Sequence, residues 1–328
     1  MATLLGAIRA ISAASRRYDR EVERERKRLV KLNKEFAKME ALEQAELEVD
    51  THENLLEVLL SMHTQEPESW DWKKILESSS LEEPELKHDN ENQARSVLKN
   101  FEPTFFDRIF FLADGIKRDL KKKIEQARLI DRETYDSDLA QKAECDLALQ
   151  ILSGDLNAYM KAVKEINPFS DIAALGSGIS IETEKPWYAE ATLQVNGKNV
   201  IPSENKTLLK SGKLSVKKYP VSKFMDMYQD YVCSATIRIA RELFGILPVE
   251  TVFIHAMSDV LNTKTGHEDN VPVLSVVFPK KYFLNMNFDG IDCSDCVEGF
   301  VHNMGFKRSK GFSAIEKLDP EKFSRASS

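Results

Sequence analysis

The sequence predicts an α+β protein: a mostly helical N-terminal half with a long coiled-coil helix, followed by a mixed α/β domain of about five strands around a long helix. In the first half, apolar residues recur at spacings of three and four, which is typical of one face of a helix. After residue 177, apolar and polar residues alternate in short runs, which indicates strands. We therefore expect a coiled-coil helix over residues 1–48, a helical region over 49–177 and an α+β domain over 178–328.

The composition is that of a globular protein. The chain has 328 residues, of which 42% are hydrophobic and 30% charged, and this suffices for a substantial core. No apolar run reaches the length of about 18 residues that a membrane-spanning helix needs, so we expect no membrane partner. Four cysteines in so long a chain do not make a disulfide framework, which indicates a cytoplasmic protein. The net charge of -7 does not by itself predict nucleic-acid binding.

The first predicted helix carries an apolar seam with heptad spacing. The seam positions alternate by four and three residues over roughly five heptads, and only Ser15 and Glu25 interrupt them. A transit peptide would explain the arginines near the N-terminus, but not a register shared with the charged helix that follows. The seam predicts pairing with another helix, within the chain or outside it. Its residues are Leu4, Ile8, Ile11, Tyr18, Val22, Leu29, Leu32, Phe36 and Met39.

Further helices are predicted before residue 152. Asp50 and Glu53 have the spacing of a capping box, which predicts that a second helix begins there. Residues 90–101 have the pattern of a short helix. Residues 104–151 contain Gly115 but no other glycine and no proline, which predicts a long helix or a hairpin of two helices that bends within residues 131–138.

The C-terminal domain is predicted to contain three strands, a long helix, two strands and a final helix. Pro248 ends the long helix, because proline has no backbone N–H to continue it. The predicted strands are residues 179–184, 188–195, 213–219, 251–257 and 271–278, and the predicted helices are residues 221–247 and 292–305.

This order of elements resembles the core of restriction-type nucleases. Those enzymes hold a divalent cation with an acidic residue on the second strand and an acid-x-lysine on the third. Glu190 matches the first acid, but the third strand offers Ser215-Val216-Lys217, with serine in place of the second acid. The chain therefore resembles these enzymes in the order of its helices and strands but not in its metal-binding residues.

A polar segment between the last two predicted strands is the main candidate for catalysis. A loop of this length, residues 258–270, is uncommon in compact domains and is often functional. With the preceding strand it supplies His255, Asp259 and His267, and imidazoles with carboxylates are typical of metal-dependent hydrolysis. The alternative is that His255 is a hydrogen-bonded residue of the strand and that the other polar residues belong to a solvated loop.

A pair of cysteines near the C-terminus suggests a metal or redox site. Cys293 and Cys296 are three residues apart, and His302 follows. We interpret the segment as a helix that Asp292 or Ser294 caps and that ends at Gly305, on which His302 would point away from Cys293. The alternative is a metal half-site of Cys293 and Cys296 that residues elsewhere complete.

Basic residues form three groups in the C-terminal domain. If these groups converge on one edge, they could contact a phosphate backbone without sequence-specific contacts. The alternative is that the basic residues are solvated, as on any globular domain. The residues are Lys213, Lys217, Lys218, Lys280, Lys281, Lys307 and Arg308.

These observations predict a non-catalytic cytoplasmic assembly or recognition protein without a cofactor. The seam would assemble the chain with itself or with another coiled-coil protein, and the C-terminal domain would bind a partner, with nucleic acid among the candidates. The alternative is a metal-dependent hydrolase or nuclease that uses the segment 258–270.

Overall fold

The computed structural model describes residues 2–78, 82–105, 112–170, 178–195, 197–262 and 264–323, with side chains from residue 23 onward except those of residues 24, 113 and 198. Helices dominate the N-terminal half and a five-stranded mixed sheet with a long helix forms the C-terminal part, so the α+β prediction is confirmed. The helices are α1 (Ala2–Leu60), α2 (Trp72–Ser78), α3 (Asp89–Lys99), α4 (Ala113–Leu152), α5 (Leu156–Ile166), α6 (Val221–Ile246), α7 (Lys280–Phe283) and α8 (Cys293–Glu298).

The first helix is longer than predicted. No glycine or proline lies between residues 7 and 60, so nothing in the sequence interrupts α1 over that length. The predicted start of a second helix at Asp50 is wrong, because the capping-box spacing falls inside the continuous helix. Thr51 there donates its hydroxyl to the carbonyl oxygen of Leu47, 2.7 Å away, as an interior helical threonine does.

The segment after residue 112 is one helix of 40 residues, so the alternative of a helical hairpin is wrong. Asp131 lies inside α4, and its carboxylate accepts the backbone N–H of Asn90 at 3.1 Å and that of Glu91 at 2.9 Å. These N–H groups belong to the first turn of α3, which has no partner for them within the helix. Asp131 thus joins α3 to α4 instead of marking a bend.

Five strands form the main sheet in the order β1-β2-β5-β6-β7. Strands β2 and β5 are parallel, and α6 makes the connection between them, while the other pairs are antiparallel. Two small hairpins, β3–β4 and β8–β9, stand apart from this sheet. The strands are β1 (Gly178–Glu182), β2 (Tyr188–Gln194), β3 (Glu204–Leu208), β4 (Leu214–Lys218), β5 (Thr251–Leu261), β6 (Glu268–Pro279), β7 (Val301–Met304), β8 (Phe306–Lys307) and β9 (Gly311–Phe312).

Two details of the predicted order are wrong. The third predicted strand corresponds to β4, which pairs with β3 and is not part of the main sheet. The helix predicted to end at Gly305 ends at Glu298, and Val301–Met304 instead forms β7 along the edge of β6. A Cβ at Gly305 would lie 2.6 Å from the carbonyl oxygen of Ser313, so this glycine permits a close backbone approach instead of capping a helix.

The core lies between α6 and one face of the sheet. Alternate residues of β5, such as Ile254, share this core with Tyr231 and Ile239 of α6, all of them almost fully buried. Leu59 and Ile151 belong to the same cluster, which therefore includes residues on both sides of the predicted boundary at residue 177. Burial of such side chains contributes about 1.5–3 kcal/mol each, so this core is a main source of stability.

The opposite face of the sheet is covered by the chain after β9. Tyr188, Phe253 and Val277 form a small buried cluster there, and Leu318 and Phe323 pack against it. The rings of Phe253 and Phe323 are 5.3 Å apart and nearly perpendicular, a favourable edge-to-face geometry. We call residues 313–323 the C-terminal strap. Among the described residues, no helix has the length and apolar character to cross a membrane.

Candidate functional site

The first candidate is the part of α1 that precedes its buried end, residues 2–44, which we call the stalk. From residue 23 to residue 44 the described side chains are exposed or half-exposed, and burial begins at Ala45. Seam residues Leu29, Leu32, Phe36 and Met39 are 46–55% exposed although they are apolar. Within the described chain, no element covers this row. An apolar row on an exposed helix is typical of surfaces that pair with another helix.

The base of the stalk is fixed to the α+β domain. Glu48 forms an ion pair with Lys206 of β3 at 2.9 Å, and Nε2 of His52 lies 3.2 Å from the hydroxyl of Tyr219. At the turn of the β3–β4 hairpin, Gly212 has a φ of 75°, which favours glycine, and a Cβ there would lie 2.6 Å from Cδ2 of Leu42, so the turn and α1 are in close contact. The hairpin therefore holds α1 at the point where its exposed part begins.

The second candidate is a buried cluster around His63, just after α1. Both the backbone N–H and Nδ1 of His63 lie within hydrogen-bonding distance of Oγ of Ser234, at 3.1 and 3.0 Å. Nδ1 also lies 3.1 Å from Sγ of Cys293. Arg241 donates a hydrogen bond to the carbonyl oxygen of His63, so the backbone of this segment is held as well.

The electrostatics of this cluster oppose nucleophilic catalysis. Burial raises the pKa of Cys293 to about 12, and burial together with the nearby Arg241 lowers the pKa of His63. A reactive cysteine needs the reverse, a thiolate beside a protonated imidazole. Thiol and imidazole are both neutral here, so the contact joins α8 and α6 to the segment after α1.

The third candidate is a row of polar side chains across three strands of the main sheet. Oγ of Ser275 on β6 lies 2.7 Å from Nδ1 of His255 on β5, and Nε2 of His255 lies 3.0 Å from Oε1 of Glu190 on β2. The second contact lies outside hydrogen-bonding geometry and is a close approach of ring and carboxylate. Ser275 also accepts the backbone N–H of Leu318, so the row reaches the C-terminal strap.

This row contains the residue types of a catalytic triad, but its serine and histidine are not accessible to solvent. His255 and Ser275 have no accessible surface, so no substrate reaches the serine oxygen. The contact with His255 is the largest cause of the lowered pKa of Glu190, although burial opposes it. Glu190 and Lys217, which the nuclease resemblance would bring together, lie in separate sheets.

The predicted loop at residues 258–270 is wrong, because most of it forms the end of a β-hairpin. Strands β5 and β6 stay paired as far as Leu261 and Glu268, so only residues 262–267 lie between the paired strands. Asn270 donates to the carboxylate of Asp259 across the hairpin at 2.8 Å. The polar residues that suggested a functional loop therefore form cross-strand pairs on an exposed hairpin.

The alternative catalytic residues are not brought together. His255 lies in the sheet interior, whereas His267 lies in the exposed turn beyond Leu261. Leu261 follows His255 by six positions of β5, a distance of about 20 Å along an extended strand. Asp259 lies between them and is bonded to Asn270. Within the described ranges, no three His, Cys, Asp or Glu side chains converge to hold a metal ion.

Cys293 and Cys296 both lie in the core, at the start of α8. The predicted cap is confirmed, since the Asp292 carboxylate accepts the N–H groups of Ser294 at 3.0 Å and Asp295 at 3.1 Å. The two thiols have different neighbours, because Sγ of Cys296 lies 3.8 Å from the sulfur of Met286. Burial is the main cause that raises the pKa of Cys296 to about 11, so this thiol is protonated at neutral pH.

The basic groups lie at both ends of α6. Lys218 at the end of β4 precedes α6 by three residues, and Arg308 forms an ion pair with Asp226 near the start of α6 at 2.8 Å. Lys280 lies over the ring of Phe244, 18 residues after Asp226 and so about 27 Å further along the helix. The group at the start of α6 contains Lys217, Lys218, Lys307 and Arg308, and the group at its end contains Lys280 and Lys281. Lys213 lies apart from both, at the turn of the β3–β4 hairpin beside α1.

One titratable residue gave no signal in the sequence. Asp230 lies on α6, and burial raises its pKa to about 6, with Asp292 and Asp226 adding to the effect. Arg308 opposes this shift. The acids come from α6 and from the chain before α8, more than sixty residues apart in the sequence, so spacing alone does not reveal the cluster.

Comparisons with known proteins give no relative for this chain: no family model, no curated protein and no solved structure matches it. The fold and the exposed surfaces are therefore the basis on which we assign the class of protein. It is an α+β protein whose long N-terminal helix has an exposed apolar seam.

Proposed function

We propose that this chain is a non-catalytic cytoplasmic assembly protein, in which the stalk joins two chains and the α+β domain recognises a further partner. The half-exposed seam of Leu29, Leu32, Phe36 and Met39 is the observation that supports the proposal. Heptad seams of this kind become buried when helices form a coiled coil. A second copy of the chain is the first partner to test, and another coiled-coil protein is the alternative.

The firm base of the stalk supports an assembly role. Ala45, Val49 and Leu59 of the same helix are buried against the rest of the chain. A helix fixed at one end presents its free part in a constant direction, and this lowers the entropy that is lost on pairing. The exposed seam is therefore organised for binding before a partner arrives.

The buried state of the other candidates supports a role without catalysis. Ser275 and His255 have no accessible surface, and the raised pKa of Cys293 keeps its thiol protonated. The free state of the four cysteines is compatible with the reducing cytoplasm. For the α+β domain, nucleic acid remains a candidate partner through the basic group at the start of α6, which includes Lys217 and Lys218.

The test is the mass of the purified full-length chain, measured by light scattering over a range of concentrations. We expect the mass of two chains for the wild type and a shift towards one chain for Leu32→Gln. Val30→Gln is the matched control, because Val30 is also apolar and 49% exposed but lies outside the seam. A wild type that still has the mass of one chain at about 0.1 mM would overturn self-assembly, because the dissociation constant would then lie above that concentration.

A further inference from the structure

We propose that two stalks pair in antiparallel orientation, in a single register that sets Val22 of one copy opposite Glu25 of the other. This inference rests on the proposed self-assembly and adds its geometry. It follows from the heptad positions along the continuous backbone helix of residues 2–60 and from the charges beside the seam.

The seam fixes the heptad positions of its neighbours. Because spacings of three lead from position a to position d, Leu29 and Phe36 are at a, and Leu32 and Met39 are at d. The only charged seam residue, Glu25, is therefore at d. Positions e and g flank the seam and decide which helix orientation is favoured. The charged flanking residues are Asp19, Arg26 and Glu40 at e, and Glu21, Arg28 and Glu35 at g.

A parallel pair in register places like charges together. Each seam residue then faces its own copy, so two Glu25 carboxylates would meet in the buried layer, where burial and repulsion both disfavour their charge. Glu35 at g would also face Glu40 at e of the second copy. The attraction between Glu21 and Arg26 of the second copy is the one favourable charged contact at the flanks.

An antiparallel pair removes the contact between Glu35 and Glu40, and it sets the two Glu25 side chains in successive layers, about 4.5 Å apart along the axis, instead of in one layer. Here a faces d, g faces g and e faces e, so Glu25 can lie opposite Val22 of the second copy. In this register, Glu21 lies beside Arg28 of the second copy, and Asp19 lies beside Arg26 of the second copy. Symmetry repeats each pair, which gives four attractive contacts and no like-charge contact at the flanks. The other layers pair Leu29 with Tyr18, Phe36 with Ile11, Leu32 with Ser15 and Met39 with Ile8.

Antiparallel registers that are shifted by one heptad are disfavoured. A shift in one direction sets Arg28 opposite Arg28 and Arg26 opposite Arg26. A shift in the other direction sets Glu21 opposite Glu21 and Asp19 opposite Asp19. Like charges in direct contact oppose association, so the charge pattern selects one register among its neighbours.

The length of the stalk agrees with this register. Leu4, the first seam residue, would lie opposite Glu43 of the second copy, an exposed residue two positions before the buried Ala45. The overlap of the two helices thus reaches from Leu4 to the base of the stalk, and its apolar layers begin with Ile8 opposite Met39. At 1.5 Å per residue it spans about 60 Å, so the two α+β domains would lie at opposite ends of the pair.

The test measures distances between spin labels in the full-length dimer. Glu23→Cys and Ala37→Cys introduce labels at the same heptad position, two heptads apart, and the native cysteines are buried. In the antiparallel register, the two labels at position 23 are about level along the axis, whereas the two labels at position 37 are separated by about 40 Å. A parallel pair gives the same short distance at both positions.

The outcomes separate this inference from the function on which it rests. A short distance at position 23 together with one of about 40 Å at position 37 supports the antiparallel register. Equal short distances at both positions overturn the inference and leave self-assembly in place. A chain of monomeric mass that shows no coupling between labels at either position overturns both.

Discussion

Nδ1 of His63 lies 3.1 Å from Sγ of Cys293, although the two residues are 230 positions apart in the sequence. His63 lies just after the end of α1, and Cys293 begins α8, so the contact joins the chain after α1 to the start of α8. Burial lowers the pKa of His63 and raises that of Cys293, and both groups are therefore neutral near pH 7. The contact therefore joins two neutral groups and does not activate the thiol as a nucleophile.

The first prediction concerns thiol reactivity. With its pKa raised to about 12, Cys293 should react with a soluble disulfide reagent at pH 8 only when the chain unfolds. We expect almost no reaction in the folded wild type and four reactive thiols in denaturant. Ala37→Cys, on the exposed stalk, serves as the positive control and should react at once. Rapid reaction of folded Cys293 would contradict its burial.

The second prediction concerns stability at mildly acidic pH. Because the pKa of His63 is lowered in the folded state, the unfolded chain binds a proton first as the pH falls through about 6.5, so stability decreases there. His63→Gln should remove part of this decrease in the free energy of unfolding, measured in urea between pH 7.5 and 5.

The pKa of His52 is also lowered, chiefly by burial, so His52→Gln is the parallel variant. Each variant should remove its own share of the pH dependence. If the free energy of unfolding depends on pH equally in the wild type and in His63→Gln, the pKa of His63 is not lowered in the folded state.

The third prediction has the opposite sign. Burial raises the pKa of Asp230 to about 6, so the folded state keeps a proton that the unfolded chain has already lost. The penalty for ionising Asp230 therefore develops as the pH rises from about 4 to 6 and is fully present above that. Asp230→Asn should stabilise the protein at pH 7 by about 1 kcal/mol, after allowance for solvent screening, and should have little effect at pH 4.

The measurement is urea unfolding at the two pH values. Asp259→Asn on the exposed hairpin is a control, since Asp259 accepts a hydrogen bond from Asn270 and is not held in the core. An Asp230→Asn variant that is less stable than the wild type at pH 7 would mean that the carboxylate is needed as a charged partner.

Local patterns in the sequence identified several features of the fold because these features depend on neighbouring residues. The helical seam of the stalk and the cap at Asp292 require only a few consecutive positions. The alternating runs that became β2 and β4 are local in the same sense.

Local reasoning failed where distant segments determine the structure. Val297, Phe300, Val301 and Met304 have helical spacing, yet the last two lie in β7, because the edge of β6 offers backbone partners. The pairing of β5 with β6 beyond residue 258 also depends on a register that no short stretch reveals. His63 and Cys293 meet only through the tertiary fold.

The fourth prediction concerns the C-terminal strap. Ser275 lies between Nδ1 of His255 and the backbone N–H of Leu318, so Ser275→Ala would leave both buried groups without this partner. We expect a loss of about 2–3 kcal/mol in the free energy of unfolding. Hydrogen exchange should also become faster in residues 313–323. Ser215→Ala on β4 is the control, and equal exchange rates in the two variants would contradict a role of Ser275 in holding the strap.

The last prediction tests the charged contacts between stalks. In Arg26→Glu/Arg28→Glu, all flanking charges from position 19 to position 28 are negative, and in Asp19→Arg/Glu21→Arg they are all positive. Each variant alone should dimerise more weakly than the wild type. Converting four attractive pairs to repulsive ones at about 0.5 kcal/mol each costs about 2 kcal/mol, or roughly 30-fold in the dissociation constant.

A mixture of the two variants should dimerise again, since every flanking pair then joins opposite charges. Lys31→Glu/Lys34→Glu makes the same change of charge on the outer face of the stalk and should leave the dimer intact. Because exposed charges are screened by salt, the difference between the variants should shrink as the ionic strength rises. If the mixture is no tighter than either variant alone, then residues 19–28 do not face each other and the proposed register is wrong.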